Sequence, residues 1–449
     1  MTTRMPTAFF LLGAILATDA TQAQSWPQWR GPTRSGVTSA PSGWDGSKWN
    51  IQKKWQVAVG PGLGASPIIA DGKVYVMGWS GRGDVVWCLD ANDGSTIWKQ
   101  EYKARRDGRF QREDSPQGPT CTPTFDKRTG YLYTRGNDGD LHCWDTADDE
   151  AREVWHVNLY DTYKVPPRRS TARQEPVRDY GYTGNVLVYE NWAIVEVGSA
   201  KEGNIMAFDK RSGKRVWASE DKNAAGHTCG PVMMVVEGRP CIASLTLEGL
   251  RVMRADAGHE GRNVAFFNWA MPFNVNIPTP CVYGDTVLIT GTEQYASGKK
   301  TTFLKIGLGG ILRQWEGRRQ SFVCSPVAYD GCVYGVSGKI YCLDSYTGAL
   351  KWEGGSIGGQ TGSILVTGDG KLIVWGNAGL FLVESANRSP DRYKELAALK
   401  KPIDKPKGDC YSHVALGEKS LLIKDGSGQL ACYKVGGPAA SQKPAEARR

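Results

Sequence analysis

Eleven residues recur along this chain with one pattern. Cys88-Leu-Asp-Ala-Asn-Asp-Gly-Ser-Thr-Ile-Trp98, Ala207-Phe-Asp-Lys-Arg-Ser-Gly-Lys-Arg-Val-Trp217 and Cys342-Leu-Asp-Ser-Tyr-Thr-Gly-Ala-Leu-Lys-Trp352 all share it. Each reads small, apolar, Asp, two variable residues, polar, Gly, three variable residues, Trp. Weaker copies end at Trp155, after Cys143-Trp-Asp145, and at Trp315, after Gly309-Gly310; Asp256 with Trp269 is a further candidate. A chain built from such copies folds as an array of like units rather than around one irregular core. The motif residues are Asp90 and Gly94, Asp145, Asp209 and Gly213, Asp344 and Gly348, with tryptophans 98, 155, 217, 315 and 352. Each Asp-x-x-x-Gly is a turn whose carboxylate caps backbone N–H groups. The tryptophan packs flat on the neighbouring unit, and its indole N–H requires a partner such as a backbone carbonyl.

Upstream of each copy lie two short apolar strands about a turn, clearest in Ala65-Ser-Pro-Ile-Ile-Ala-Asp-Gly-Lys-Val-Tyr-Val76. Counterparts at Cys121–Thr134, Asn185–Val197, Gly230–Ser244, Thr279–Gly291, Cys324–Val336, Ser363–Trp375 and Ser412–Asp425 bring the hairpins to eight. Asp71-Gly72, Asp330-Gly331 and Asp369-Gly370 are the dipeptides that tight hairpins favour. Hairpin plus motif gives four strands per repeat, recurring about every fifty residues. This is the pattern of an all-β propeller of four-stranded antiparallel blades. Eight blades fit best, seven being the fallback, because the seventh copy is poor: Tyr393–Lys400 reads as an outer strand or a short helix. The eighth copy lacks its fourth strand, while Ile51–Val59 is an orphan strand whose Trp55 matches the outer tryptophan. That strand is expected to complete blade eight and close the ring, removing exposed sheet edges.

The amino terminus has Arg4, an apolar run from Ala8 to Ala17 and small residues up to Ala23, the layout of an export signal. The expected division is a signal peptide over 1–23, a propeller over 24–435 and a flexible tail over 436–449. The run is too short to span a bilayer, so the expected location is periplasmic or secreted, without a transmembrane segment. Lys and Arg exceed Asp and Glu by 55 − 46 = 9, a bias too mild to mark a nucleic-acid binder. A monomer is expected. Eleven cysteines show no C-x-x-C and no adjacent pair, which gives no support to zinc ribbons or thioredoxin-like chemistry.

The repeats Ala-x-Asp-x-x-Thr-Gly-x-x-x-Trp, with cysteine for alanine in two copies, resemble the PQQ-like repeats of quinoprotein-type propellers. The resemblance covers Trp26 to Val435, and the opening Trp26-Pro-Gln-Trp-Arg-Gly-Pro-Thr-Arg-Ser-Gly36 is similar to the start of exported, uncharacterised members. The family holds two branches. The PQQ-dependent alcohol dehydrogenases imply a quinone between a tryptophan floor and a disulfide of adjacent cysteines, with Ca²⁺ and an aspartate base. This chain lacks the adjacent cysteine pair. The other branch resembles the propeller subunit of the bacterial outer-membrane protein assembly machinery, which implies no cofactor and a working surface. That subunit is typically a lipoprotein, and no cysteine precedes Cys88 here.

Two connections between blades are long. Glu101–Thr120 carries Arg105, Arg106, Arg109 and Arg112; Tyr160–Tyr182 carries Arg168, Arg169, Arg173 and Arg178. On neighbouring blades they are expected to form one basic rim interleaved with Phe110, Tyr160, Tyr163, Tyr180 and Tyr182. The functional reading is a dock for an anionic protein or polysaccharide through guanidinium forks. The plainer one is two solvated loops. Cys121, Cys229 and Cys324 share one blade position and Cys88, Cys143, Cys342 and Cys432 another, as small packing residues would. The five histidines, His142, His156, His227, His259 and His413, form no i, i+4 pair. His227 and His413 are placed either to face the channel top or to sit as core or loop histidines, the commoner outcome.

These residues offer no catalytic or metal constellation. The favoured function is a non-catalytic exported scaffold that binds a protein or polysaccharide through its loop-bearing face. The alternative is a quinoprotein oxidoreductase of an alcohol or sugar, and PQQ and Ca²⁺ belong to that alternative alone.

Overall fold

The computed structural model describes residues 24–104, 118–165, 181–226, 229–271, 276–291 and 300–436. Among them the strands form eight four-stranded antiparallel sheets, each an up-and-down meander. Blade 1 runs from Ile68–Ala70 through Lys73–Trp79 and Gly83–Asp90 to Thr96–Lys103. Blades 2 to 7 repeat this order, beginning at Thr124, Leu187, Val232, Cys281, Val327 and Gly362 and ending at Asn158, Ala218, Asn268, Gly317, Gly354 and Leu399. Blade 8 takes Ala415–Gly417, Ser420–Lys424 and Gln429–Val435 and borrows Ile51–Ala58 as its outer strand. Closure by the orphan strand is therefore observed. The seventh blade ends in the strand Glu395–Leu399 rather than a helix.

The turns follow the residues. Asp71 and Gly72 both have positive φ, as the hairpin between the first two strands requires. The motif aspartates cap their turns: Asp90 accepts from Asn92 N, Asp209 from Ser212 N and Asp344 from Thr347 N. The register then brings five outer tryptophans opposite the small residue of the third strand, whereas Trp315 pairs with Phe303. Trp98 pairs with Cys88, Trp155 with Cys143, Trp217 with Ala207, Trp352 with Cys342 and Trp55 with Cys432. The recurring cysteine thus clears space for an indole. All eleven cysteines are free thiols, buried apart from the half-buried Cys229.

One expected copy is corrected. In blade 4 the place of the docking tryptophan, opposite Val252, is held by Ala265. Trp269 lies just beyond the outer strand Asn263–Asn268, buried, with its indole nitrogen on Lys300 O at 3.1 Å. The third strand ends at Arg254 and Asp256 lies in the turn beyond it, so Asp256 and Trp269 are not a motif pair.

Candidate functional site

The inner strands surround a central channel, and the chain's own segment from Gln24 to Ser42 fills it. Trp26 exchanges backbone hydrogen bonds with Ile69 of blade 1, and Pro27 O accepts from Phe125 N of blade 2. Arg34 donates to Val186 O at the foot of blade 3 and, at 2.8 Å, to Pro231 O of blade 4. Trp29 donates to Thr279 Oγ1 of blade 5 at 3.0 Å, and Arg30 to Pro326 O of blade 6. Gly36 and Thr38 bond Val366 of blade 7, and Gln24 O accepts from Glu418 N of blade 8. One segment therefore ties all eight blades together. His413 does lie in the channel, its ring 4.1 Å from that of Trp29, and burial keeps it neutral. His227 lies outside the described residues.

The two basic connections start at blades 1 and 2. Arg105, Arg106, Arg109 and Arg112, and Arg168, Arg169, Arg173 and Arg178, lie outside the described residues, as do Phe110 and Tyr180. The aromatic part of the expected rim needs correction. Tyr160 and Tyr182 are buried, their rings 4.5 Å apart, so they brace the blade 2–blade 3 junction rather than face solvent.

Between the roots of these connections lies a polar cluster. In blade 2, His142 and His156 are direct cross-strand partners, so their rings stack at 4.2 Å with 13° between planes. Asp140, two residues before His142, shares its face of the sheet. His156 Nε2 lies 3.0 Å from Asp140 Oδ1, and His142 Nδ1 lies 2.8 Å from Glu153 Oε2. Blade 1 contributes Tyr102, whose ring packs 4.3 Å from His142, and the buried Asp84, which accepts from the Tyr102 hydroxyl at 3.3 Å.

The electrostatics follow from burial. Desolvation, aided by Asp138 and Asp140, pushes Asp84 up to about 8, so it is largely protonated at neutral pH. Burial pushes His142 down to about 4, whereas the hydrogen bond to Asp140 raises His156. For Asp140 burial acts upward, but hydrogen bonds from His156 and Asn158 outweigh it and hold the carboxyl low. Sequence reasoning missed this cluster because its histidines are fourteen positions apart. The repeat register contained the signal: the residue before the small one pairs with the residue after the tryptophan.

Residues 50–127 and 124–354 match the family described as outer membrane protein assembly factor BamB. The chain belongs to this family. Among solved structures, this BamB-family propeller is similar to BamB from Moraxella catarrhalis, with a TM-score of 0.54 and 13% identity over 86% of this chain and 99% of that one. It is also similar to the quinohemoprotein alcohol dehydrogenase of Comamonas testosteroni, with a TM-score of 0.60 and 14% identity over 95% and 82% of the two chains. In sequence, 163 residues are 26% identical to the quinohemoprotein alcohol dehydrogenase ADH-IIG of Pseudomonas putida. That match covers 35% of this chain and 19% of the dehydrogenase, so the chain spans about a fifth of that relative's length. The fold is thereby that of a PQQ-like propeller.

The residues of this BamB-family member do not fit a quinone sandwich. All eleven cysteines are dispersed free thiols, so no disulfide of adjacent cysteines can face the ring. Within the channel segment, the Trp29 indole packs against His413 and is held by Thr279. Arg30 and Arg34 of the same segment are buried.

Proposed function

We propose that this protein is a non-catalytic scaffold that binds an anionic protein or polysaccharide partner through the face bearing its two long basic connections, outside the cytoplasm. The observation that carries this reading is the filled channel. A propeller whose axis is occupied by its own segment, bonded to every blade, offers its faces rather than its centre for recognition. The eight loop arginines supply bidentate donors for carboxylate, sulfate or phosphate groups. BamB of Moraxella catarrhalis, similar in fold, is consistent with such a role.

The second reading, a PQQ-dependent oxidoreductase of an alcohol or sugar, draws on the partial likeness to quinohemoprotein alcohol dehydrogenases. Titration with PQQ and Ca²⁺, followed by tryptophan fluorescence and dye reduction with simple alcohols, separates the two. Silence in both assays is expected; saturable binding with turnover would replace the scaffold. For the scaffold itself, binding to an anionic polysaccharide such as heparin, or to acidic periplasmic proteins, should weaken when Arg105, Arg106, Arg168 and Arg169 become Ser. The melting temperature should hold. Unchanged binding would remove the basic face from the proposal.

A further inference from the structure

Beyond the scaffold, we propose that Asp140, His142 and His156 bind a divalent transition-metal ion of the Zn²⁺ class. One ligand atom from each of the three lies within 4.8 Å of the others. Ligand atoms around tetrahedral zinc sit roughly 3.4 Å apart, so side-chain torsions must both close the gap and turn the stacked imidazoles out of parallel before their lone pairs meet one ion. Two strands at fixed register carry all three residues, which makes the site rigid apart from those torsions.

A second observation points to a ligand. Among the described residues, His142 Nε2 is buried and has no hydrogen-bond partner, whereas buried polar atoms are normally satisfied. Its other nitrogen faces the Glu153 carboxylate at 2.8 Å. That is how a metal-ligating histidine is held: one nitrogen on the ion, the other on a carboxylate that fixes tautomer and ring orientation.

The donor set selects the ion. Two imidazoles and one carboxylate suit Zn²⁺, Co²⁺ or Ni²⁺, whereas Ca²⁺ and Mg²⁺ require oxygen ligands. Binding replaces the His156–Asp140 hydrogen bond by two metal bonds; the Nε2 proton leaves to solvent from an imidazolium, and in a neutral ring it shifts to Nδ1. Three protein ligands leave a fourth position for water or a donor from a partner, and the half-exposed His156 marks the way in from solvent.

The test uses the untagged full-length mature protein after chelator treatment. Equilibrium dialysis against Zn²⁺, with metal analysis, should find one ion per chain. Co²⁺ should give visible d–d bands without thiolate charge transfer. His156→Gln and Asp140→Asn should each weaken binding by tenfold or more while the metal-free proteins remain folded. Zn²⁺ should raise the melting temperature of the wild type and not of His156→Gln. Two results overturn the proposal: no saturable uptake of Zn²⁺ or Co²⁺ by the wild type, or uptake unchanged in both variants. The latter, with charge-transfer bands, would assign the ion to thiols. Should a variant fail to fold, the wild-type stoichiometry and Co²⁺ spectrum still decide.

Discussion

Trp55 of blade 8 lies over Gly94 of blade 1, and a Cβ at Gly94 would stand 2.7 Å from the indole ring. The indole nitrogen donates to Ala91 O at 3.2 Å. The same dock recurs twice, Trp155 on Gly213 with Lys210 O and Trp315 on Gly348 with Ser345 O. The glycine and tryptophan of one motif are thus not partners: each blade's glycine receives the preceding blade's tryptophan. Trp98, Trp217 and Trp352 meet blades whose turns depart from the motif, and among the described residues their buried indole nitrogens have no hydrogen-bond partner.

Gly94→Ala should therefore cost more stability than Gly72→Ala. Both glycines have similar positive φ, but a Cβ at Gly72 meets nothing within 4 Å. Backbone strain of about 1 kcal/mol is common to both; only Gly94→Ala displaces an indole. Urea unfolding of the two variants checks this. Equal losses would mean that the dock contributes nothing.

Asp126 and Lys210 form a buried ion pair at 2.7 Å between blades 2 and 3. Burial acts to raise Asp126, but hydrogen bonds from Lys210 and Thr129 win and hold it below its ordinary value. Its contribution is accordingly present above the unfolded carboxyl pKa and lost as pH falls through the lower folded value. Asp126→Asn strands an ammonium and should cost about 3–5 kcal/mol at neutral pH. Asp126→Asn/Lys210→Met should cost less than the single change. A double variant as unstable as the sum of the two single ones would contradict this.

The blades, the closing strand and the docking tryptophans were legible because each is written several times, and a repeated pattern reveals register without any tertiary knowledge. The plug was not. Trp26–Gly36 occurs once, has no periodicity, and owes its place to single groups that separate blades present to it, among them the carbonyls of Val186, Pro231 and Pro326 for Arg34 and Arg30 and the Thr279 hydroxyl for Trp29. The polar cluster falls between these cases. His142 and His156 look scattered along the chain, yet the pairing of Cys143 with Trp155 already makes them neighbours. Asp84 and Tyr102 join them only through the contact between blades 1 and 2, which no local pattern encodes.

Lys424 offers a pH test. Its side chain is wholly buried and donates to Gly62 O at 2.6 Å, and burial lowers its ammonium to about 8, opposed by Asp425. The folded pKa lies below the unfolded one, so folding releases a proton between about pH 8 and 10 and stability rises with pH there. The difference amounts to about 3 kcal/mol at full extent. Relative to Lys424→Met, the wild type should gain stability as pH is raised from 7.5 to about 10. Urea midpoints of the two proteins that run parallel across this range would show that the ammonium is not penalised.

The plug and the closing strand can be separated by two truncations. A chain beginning at Trp49 keeps Ile51–Ala58 and hence the dock of Trp55 on Gly94, but loses every bond from Gln24–Ser42 to the blades. A chain beginning at Gly60 loses both. If the plug only fills space that closure has already defined, the first truncation should remain a folded ring of reduced stability, and the second should fail to fold cooperatively. Arg34→Ala probes the plug within the full chain. It leaves Val186 O and Pro231 O without the guanidinium they accept from. At about 1–3 kcal/mol for each buried group left unpaired, it should lower stability by several kcal/mol. Near-ultraviolet circular dichroism and urea unfolding distinguish the outcomes. A chain starting at Trp49 that is as unstructured as one starting at Gly60 would make the plug the template on which the eight blades assemble, rather than a segment that seals a finished ring.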